Sequence, residues 1–306
     1  VQSEAFKLNN EGASLGKGIS DIAKRAKQFF ISSEDDGSIT IINDQTLEME
    51  AQITAQEFPN FKPTILNIPD NTAVSAIVMT RDGKLFNLAT KEHILLENNT
   101  LGASVNLLVK SQFIPGLNYT SNYFWDLNAS RLWNVTPYGN SSSKDELIGH
   151  EFYTFFEANS KTYILTKQPN SSSFTKNVYS VTHSAFTNLE KETFTTTGVV
   201  PTESSVTLLD EKLFKLLHAD GNKVYQWYYS GTDFNEPPLL TIDVEGEITY
   251  LAKNNNGKEL FVGVYNQNAS GKKGSVLIYN IETGRKLGQF IGITDKPVKL
   301  LYKNKS

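Results

Sequence analysis

The amino-acid sequence predicts an all-β fold, and three observations lead to this prediction. Short runs of β-branched and aromatic residues alternate in polarity, as in "SITIIN" (38–43), "KVYQWYY" (223–229) and "SVLIYN" (275–280). Such runs are typical of strands with one buried face. Asp-Gly and Asp-Asp-Gly sequences, which favour tight hairpin turns, separate many of the runs. No stretch of about 10–15 residues shows the periodicity of an amphipathic helix.

The pattern of strands and turns repeats along the chain. Each repeat has three strands joined by turns and is preceded by one more short apolar stretch. Four strands recurring every ~40 to 50 residues are typical of a β-propeller with four-stranded blades. Pairs of strands alone would suit a β-sandwich, which would not explain the long period. The repeats cover Gln28–Ile53, Ser75–Glu97, Asn122–Gly139, Lys161–Phe186, Lys212–Gly231 and Gly257–Phe290.

The additional apolar stretch at the start of each repeat is predicted to be the innermost strand of its blade. Several of these stretches follow Pro or Gly, which end the preceding loop. They read "GISDIAKR" (18–25), "KPTILNI" (62–68), "GASVNLLV" (102–109), "GHEFYTFF" (149–156), "SSVTLL" (204–209) and "EITYLAK" (247–253).

Six complete repeats lie between Gly18 and Gly292, so six blades are favoured. Residues 295–306 are predicted to close the ring as an added strand, with "GISDIAKR" displaced, and residues 1–17 are an N-terminal extension or the closing strand. Seven blades remain possible if "EAFKLNN" (4–10) and "KPVKLLYK" (296–303) build another blade. Residues 1–306 are predicted to form a single domain. We expect a monomer, because a closed propeller leaves no free edge in its ring.

Composition and motifs exclude several classes of function. The net charge of −4 and the absence of a basic stripe argue against nucleic-acid binding. The chain has no cysteine, which excludes disulfides and thiolate metal ligands. No apolar run reaches the ~20 residues of a transmembrane helix. The four histidines lack metal-ligand spacing, and no P-loop, G-x-S-x-G or H-E-x-x-H motif occurs. We therefore predict a protein that is not an enzyme, with no catalytic residue, metal site or cofactor.

Aromatic residues form the candidate ligand-binding site. All three tryptophans lie in two repeats, together with several tyrosines. Neighbouring residues on a strand point to opposite faces, so some of these rings can pack between sheets while others line a ligand cleft. Aromatic rings beside amide and carboxylate groups suit sugars and other amphipathic ligands. The candidate residues are Trp125, Asp126, Trp133, Tyr138, Trp227 and Tyr228, with Asn122, Asn128 and Arg131 as further hydrogen-bonding groups.

Two stretches resemble known families. "FFISSEDDGSITIINDQTLEMEAQI" (29–53) is similar to the repeats of YncE-like propellers. Residues 257–303 resemble the closing part of propeller surface lipoproteins from Bacteroidetes, of PKD-like or DUF-labelled families associated with Sus-type nutrient uptake. The resemblance implies an exported protein at the outer membrane, the cell surface or in the periplasm. The sequence lacks the lipidated cysteine and the PKD-like domain of those proteins.

The fold and the resemblance together predict a non-enzymatic exported binding protein of a nutrient-uptake system. It would capture a glycan or cofactor at one propeller face, shaped by loops at 140–144, 170–175 and 267–273. Two alternatives stay open. The first is an interaction platform that docks on an outer-membrane complex such as a transporter. The second is a metal-dependent propeller lyase or lactonase.

Overall fold

A computed structural model describes most of the chain, and its secondary structure consists mainly of β-strands joined by turns. Contacts between Cα atoms divide the chain into two compact units, Val1–Gly149 and His150–Ser306. The described residues are 18–54, 61–68, 76–81, 84–88, 92–94, 105–114, 119–126, 131–135, 141–144, 147–182, 185–202, 206–297 and 299–300.

Unit 1 contains three antiparallel four-stranded sheets, and within each sheet the strands follow chain order. In the third sheet, side-chain burial is described for Trp125 and Leu132 only. The strands are β1 (Ile19–Arg25), β2 (Gln28–Ser33), β3 (Ser38–Asn43), β4 (Met49–Ile53); β5 (Pro63–Asn67), β6 (Ile77–Thr80), β7 (Leu85–Asn87), β8 (Glu92–Ile94); β9 (Val105–Ile114), β10 (Tyr119–Asp126), β11 (Arg131–Val135), β12 (Ser141–Lys144).

Unit 2 repeats this arrangement with three further four-stranded sheets, so the described residues form six such sheets in all. The strands are β13 (Glu151–Ala158), β14 (Lys161–Lys167), β15 (Phe174–Thr182), β16 (Ala185–Phe194); β17 (Val206–Asp210), β18 (Lys215–Asp220), β19 (Lys223–Tyr228), β20 (Leu240–Thr241); β21 (Glu247–Lys253), β22 (Glu259–Tyr265), β23 (Gly274–Asn280), β24 (Lys286–Thr294).

The prediction of an all-β fold built from four-stranded repeats is confirmed. Each of the six apolar stretches predicted as a first strand overlaps the first strand of one sheet, and three of them (18–25, 62–68 and 247–253) include that strand entirely. This includes "GISDIAKR", so the proposed displacement of that stretch is wrong. Strand β1 pairs with β2 from Ile19 to Arg25, which leaves no room on that edge of β2 for another strand.

The predicted closing strand at residues 295–306 is not observed in the part of it that the structure describes. Strand β24 ends at Thr294, and Asp295–Pro297, Lys299 and Leu300 form no strand. The rest of that segment and residues 1–17 lie outside the described residues. The predicted loop at 140–144 is also wrong, because Ser141–Lys144 forms strand β12 and pairs with β11.

Apolar clusters fill the space between neighbouring sheets within each unit. In unit 2, Leu216 packs with Phe156 and Trp227, whereas Leu217 packs with Val262 and Leu277. Leu216 and Leu217 are consecutive on β18 and therefore point to opposite faces of its sheet. The middle sheet of unit 2 is accordingly covered on both faces. In unit 1, the first two sheets enclose a similar cluster of Phe30, Ile39, Phe61, Leu66, Val78 and Phe86.

A β-bulge interrupts the first strand of every one of these sheets. A bulge bends its strand and turns a side chain away from the regular alternation. In β1 the bulged residue is Ser20, whose hydroxyl donates a hydrogen bond to the Pro63 carbonyl at 2.7 Å. In β21 it is Thr249, which donates to the Pro297 carbonyl. The bulged hydroxyls thus tie a first strand to the segment beside it.

Candidate functional site

The two tryptophans predicted as binding residues whose side chains the structure describes are both part of the core. Trp125 on β10 and Trp227 on β19 are 0% and 1% exposed. The ring of Trp227 packs against Phe234 at a centroid distance of 4.8 Å and edge-on against Phe156 at 5.8 Å. Neither indole offers a face to a ligand in this structure. Both pack between sheets, as the sequence analysis allowed for some of the aromatic rings.

Of the other predicted site residues, Tyr228 is exposed at the end of β19. Asp126 ends β10 opposite Arg131, and Trp133 lies on β11 opposite Phe124; the structure describes the backbone of these residues. Tyr138 and Asn128 lie outside the described residues. The structure therefore brings one of the predicted side chains, Tyr228, to a described surface.

The exposed Tyr228 lies beside the hairpin that joins β17 to β18. Its cross-strand neighbour is Lys215, whose Nζ lies 5.3 Å from the centre of the tyrosine ring. The turn before Lys215 carries two exposed apolar side chains, Leu213 at 56% and Phe214 at 41% exposure. We call Leu213, Phe214, Lys215 and Tyr228 the hairpin-tip surface. It combines aromatic rings, an aliphatic side chain and a cation.

Hydrogen bonds fix the shape of this hairpin. The Asp210 carboxylate accepts from the backbone N–H groups of Lys212 and Leu213, at 2.9 and 3.1 Å. This local side-chain bond is characteristic of an Asx turn. At the other end of the turn, the N–H of Tyr229 donates to the Phe214 carbonyl at 2.9 Å. These hydrogen bonds hold the turn between β17 and β18 in one shape.

A neighbouring hairpin braces the turn from the side. The amide of Asn159, between β13 and β14, donates to the Glu211 carbonyl at 3.1 Å and to the Tyr229 hydroxyl at 3.3 Å. Burial, followed by the nearby Tyr163 and Glu211, raises the pKa of Tyr229 to about 12. The phenol consequently remains neutral and acts as a structural support, with its ring 5.6 Å from that of Phe214.

The backbone at Phe214 is strained. Its φ of 55° lies in the left-handed region, which is unfavourable for a bulky residue with a Cβ atom. Strain of this kind costs on the order of 1–3 kcal/mol and often occurs at functional positions. The strained backbone accompanies a ring that is two-fifths exposed rather than buried.

Two histidines are described with their side chains, and both have structural roles. His150 shares a hydrogen bond of 2.8 Å with the Thr166 hydroxyl, and burial, together with the charge of Lys191, lowers the pKa of its imidazole. His218 is 2% exposed and stacks on Tyr225. Among the described residues, no group of three or more His, Asp or Glu side chains could hold a metal ion.

Sequence reasoning missed Leu213 and Phe214. The repeat predicted at Lys212–Gly231 begins at Lys212, whereas the structure places Lys212–Phe214 in the turn and starts β18 at Lys215. The available signal was Asp210, a residue that favours turns, followed three and four residues later by two apolar side chains.

Within the part of the chain that the structure describes, no helix is long and apolar enough to span a membrane.

Comparison with known proteins finds similarity at the level of the fold. No family model matches the chain, and no curated protein matches it. A quinoprotein alcohol dehydrogenase-like protein from Bacteroides thetaiotaomicron is 14% identical, with a TM-score of 0.62 over 93% of this chain and 69% of that one. A functionally unknown protein from Desulfotomaculum acetoxidans is 13% identical, with a TM-score of 0.59 over 92% of this chain and 88% of that one.

Virginiamycin B lyase from Staphylococcus aureus is also similar, at 14% identity and a TM-score of 0.57 over 94% of this chain and 87% of that chain. At these identities the similarity concerns the fold and carries no information on activity. Together with the four-stranded sheets, it establishes that this chain has an all-β, β-propeller fold with four-stranded blades.

Proposed function

We propose that this chain is a non-enzymatic binding protein that contacts its ligand through the hairpin-tip surface. The observation that carries the proposal is the exposure of Leu213 and Phe214 on a turn held by hydrogen bonds, with the exposed Tyr228 at the end of the strand beside it. Ordering the turn in advance removes an entropic cost that binding would otherwise have to offset.

The chemistry of the surface favours an amphipathic ligand. Tyr228 and Phe214 offer rings for stacking, and Lys215 adds a positive charge over the tyrosine ring. Glu211 and Lys212 add further charged side chains in the same turn. Aromatic rings rimmed by polar groups suit a sugar or a ring-shaped cofactor, which presents flat apolar faces and polar edges.

The setting that we propose is capture of a glycan or cofactor for a nutrient-uptake system at the cell surface or in the periplasm. The support for this setting is the resemblance of residues 257–303 to surface lipoproteins of Bacteroidetes.

A second candidate function is docking on a protein partner, such as an outer-membrane transporter. Leu213 favours it, because an exposed aliphatic side chain contributes little to sugar binding but fits an apolar pocket on a protein.

The test is a thermal-shift screen against glycans and corrinoids, followed by titration of any hit. A ligand that binds the folded state alone adds about 2.7 kcal/mol at a hundredfold excess over its dissociation constant. Tyr228→Ala and Phe214→Gly should abolish the shift; glycine keeps the left-handed turn while removing the ring. Leu189→Ala is the matched control, since Leu189 is equally exposed on strand β16 of the same unit.

Each outcome separates the candidates. A hit that survives both Tyr228→Ala and Phe214→Gly would refute the hairpin-tip surface as the ligand site. If no compound shifts the melting temperature, a pull-down from membrane extracts that depends on Leu213 and Phe214 would favour docking over ligand capture.

A further inference from the structure

The last strand of unit 2, β24, differs from the last strands of the other two sheets in that unit. Strand β20 has two residues, and β16 carries Glu190, Lys191 and Glu192 in its second half. Short length, charge and β-bulges are devices that prevent a sheet edge from pairing with another chain, and of these β24 has only irregular pairing with β23. Strand β24 has nine residues, and none from Leu287 to Thr294 is charged.

Strand β24 also exposes much of its apolar surface. Leu287, Ile291 and Ile293 are 42%, 56% and 47% exposed, and Phe290 is 37% exposed. The strand pairs with β23 on one side and is the last strand of its sheet. Among the described residues, no strand pairs with its other side. A long apolar edge, which here is uncharged from Leu287 to Thr294, is a site for pairing with another strand.

The sequence of this edge is complementary to itself. When two copies run antiparallel and are centred on Phe290, Leu287 faces Ile293 and Gly288 faces Gly292. Gln289 then faces Ile291, and the two Phe290 rings meet. At the ends, Arg285 of each copy faces Asp295 of the other. Apart from the two Gln289–Ile291 pairs, apolar side chains or glycines thus meet one another in the centre, and opposite charges meet at both ends.

We propose that β24 is the interface with a second copy of this chain, in an antiparallel pair with its two-fold axis at Phe290. A two-fold axis requires a surface that matches itself, which is the property this strand has. Cross-strand apolar pairs and opposite charges each stabilise such an arrangement. The proposal is independent of the hairpin-tip surface and replaces the monomer expected from a closed propeller.

The backbone of β24 limits the strength of this pair. Gly292 has a φ of 62°, and the pairing with β23 is irregular at two places, between Lys286 and Gly288 and between Phe290 and Thr294. Such irregularities shorten the stretch that can form regular backbone hydrogen bonds. A single strand also buries less than the ~1,200 Å² of a standard stable interface. The dimer is therefore weak and depends on protein concentration.

The test uses the absence of cysteine from the chain. In Phe290→Cys the new thiol lies at the two-fold axis and meets its own copy, so mild oxidation should give a disulfide-linked dimer. Leu189→Cys, on the exposed part of β16, is the matched control and should crosslink far less at the same concentration. Sedimentation of the unaltered protein should show a dimer that dissociates on dilution, and Ile291→Lys should abolish it.

Charge reversal provides a second test that leaves the centre of the strand intact. Arg285→Asp should weaken the dimer, and adding Asp295→Arg should restore it, because the two residues face each other across the axis. Equal crosslinking of the two cysteine variants, together with a monomer at every concentration, would overturn the proposal. So would a dimer that is indifferent to Ile291→Lys and to both charge changes, because its interface would lie elsewhere.

Discussion

At the scale of single residues, the interior of unit 2 contains polar atoms without a hydrogen-bond partner. The Nδ1 atom of His218 and the Nε1 atom of Trp227 are both buried in this way. Trp227 lies in an apolar cluster with Leu216 and Phe156, and the ring of His218 stacks on that of Tyr225. An unpaired buried polar group costs about 1–3 kcal/mol, which the surrounding packing has to offset.

The burial of His218 predicts that the stability of the fold depends on pH. Burial lowers the pKa of His218 from 6.5 to about 4. Between these values the unfolded chain binds a proton that the folded chain does not, so protonation favours unfolding. The contribution of the neutral His218 to the free energy of unfolding is complete above pH 6.5. It is lost as the pH falls toward 4, by up to about 3 kcal/mol. Denaturant unfolding between pH 7 and 4 measures it.

The control for this effect is His218→Gln, which does not titrate and should flatten the curve in that interval. His150→Gln is a matched comparison, because the pKa of His150 is lowered in the same direction but its imidazole is less buried. A curve that is unchanged by His218→Gln would show that another group causes the acid sensitivity.

At the scale of secondary-structure elements, β15 and β16 share a buried cation. Lys176 is 1% exposed, and its Nζ lies 3.2 Å from Glu190 and 3.0 Å from Glu192 on the adjacent strand. The Thr232 hydroxyl donates to Glu192 as well, at 3.1 Å. A buried ammonium is tolerated when it is paired and hydrogen-bonded. The two carboxylates therefore keep this charge inside the sheet.

This cluster predicts an asymmetric response to mutation. Lys176→Met removes the charge but keeps the volume and should change the free energy of unfolding by less than about 1 kcal/mol. Glu190→Gln combined with Glu192→Gln leaves the ammonium buried without a counter-charge and should cost about 3 kcal/mol. Urea unfolding of the two variants measures the difference. Equal losses in both would indicate that the ion pairs contribute no more than packing.

At the scale of the whole chain, the same local device occurs near both ends of the sequence. Ser20, bulged in β1, donates to the carbonyl of Pro63, which begins the first strand of the next sheet. Thr249, bulged in β21, donates in the same way to Pro297 in the C-terminal segment. "KPTILNI" and "KPVKLLYK" begin alike in sequence. The carbonyls of Pro63 and Pro297 thus accept the same kind of hydrogen bond, each from a bulged hydroxyl on the first strand of a sheet.

A glycine on β22 makes room for this segment and allows a test. A Cβ atom at Gly263 would lie 2.9 Å from the Pro297 Cβ. Gly263→Ala should therefore cost about 1–3 kcal/mol. In a chain that ends at Thr294, Gly263→Ala should lower the free energy of unfolding much less, because Pro297, which lies nearest to the new Cβ atom, is absent. Gly231→Ala, which meets no atom closer than 4.0 Å, is the control. If Gly263→Ala is equally destabilising in the shortened chain, the close contact between Gly263 and Pro297 is wrong.

Much of the fold could be predicted because its signals are local. Alternating polarity and turn residues mark strands within a few positions, and the six predicted first strands all occur in the structure. The terminal segments could not be predicted in this way. "KPVKLLYK" resembles a first strand in sequence, yet whether such a segment pairs in a sheet depends on contacts with residues far away in the chain.

The candidate site was less predictable for a related reason. Trp227 and Tyr228 are consecutive, and no property of the sequence says which of the two faces the core. The structure buries Trp227 against Phe156 and Phe234 and exposes Tyr228. Which face of a strand is buried depends on the neighbouring sheet rather than on the strand itself.

The sequence by itself therefore determined the class of fold, the repeating strands and the absence of thiol chemistry, since composition and short-range periodicity carry that information. Only the tertiary structure decided that two of the predicted tryptophans belong to the core, that Phe214 and Tyr228 are exposed at and beside the β17–β18 turn, and that β24 is the last strand of its sheet. These features arise from contacts between segments distant in sequence, and local patterns do not encode them.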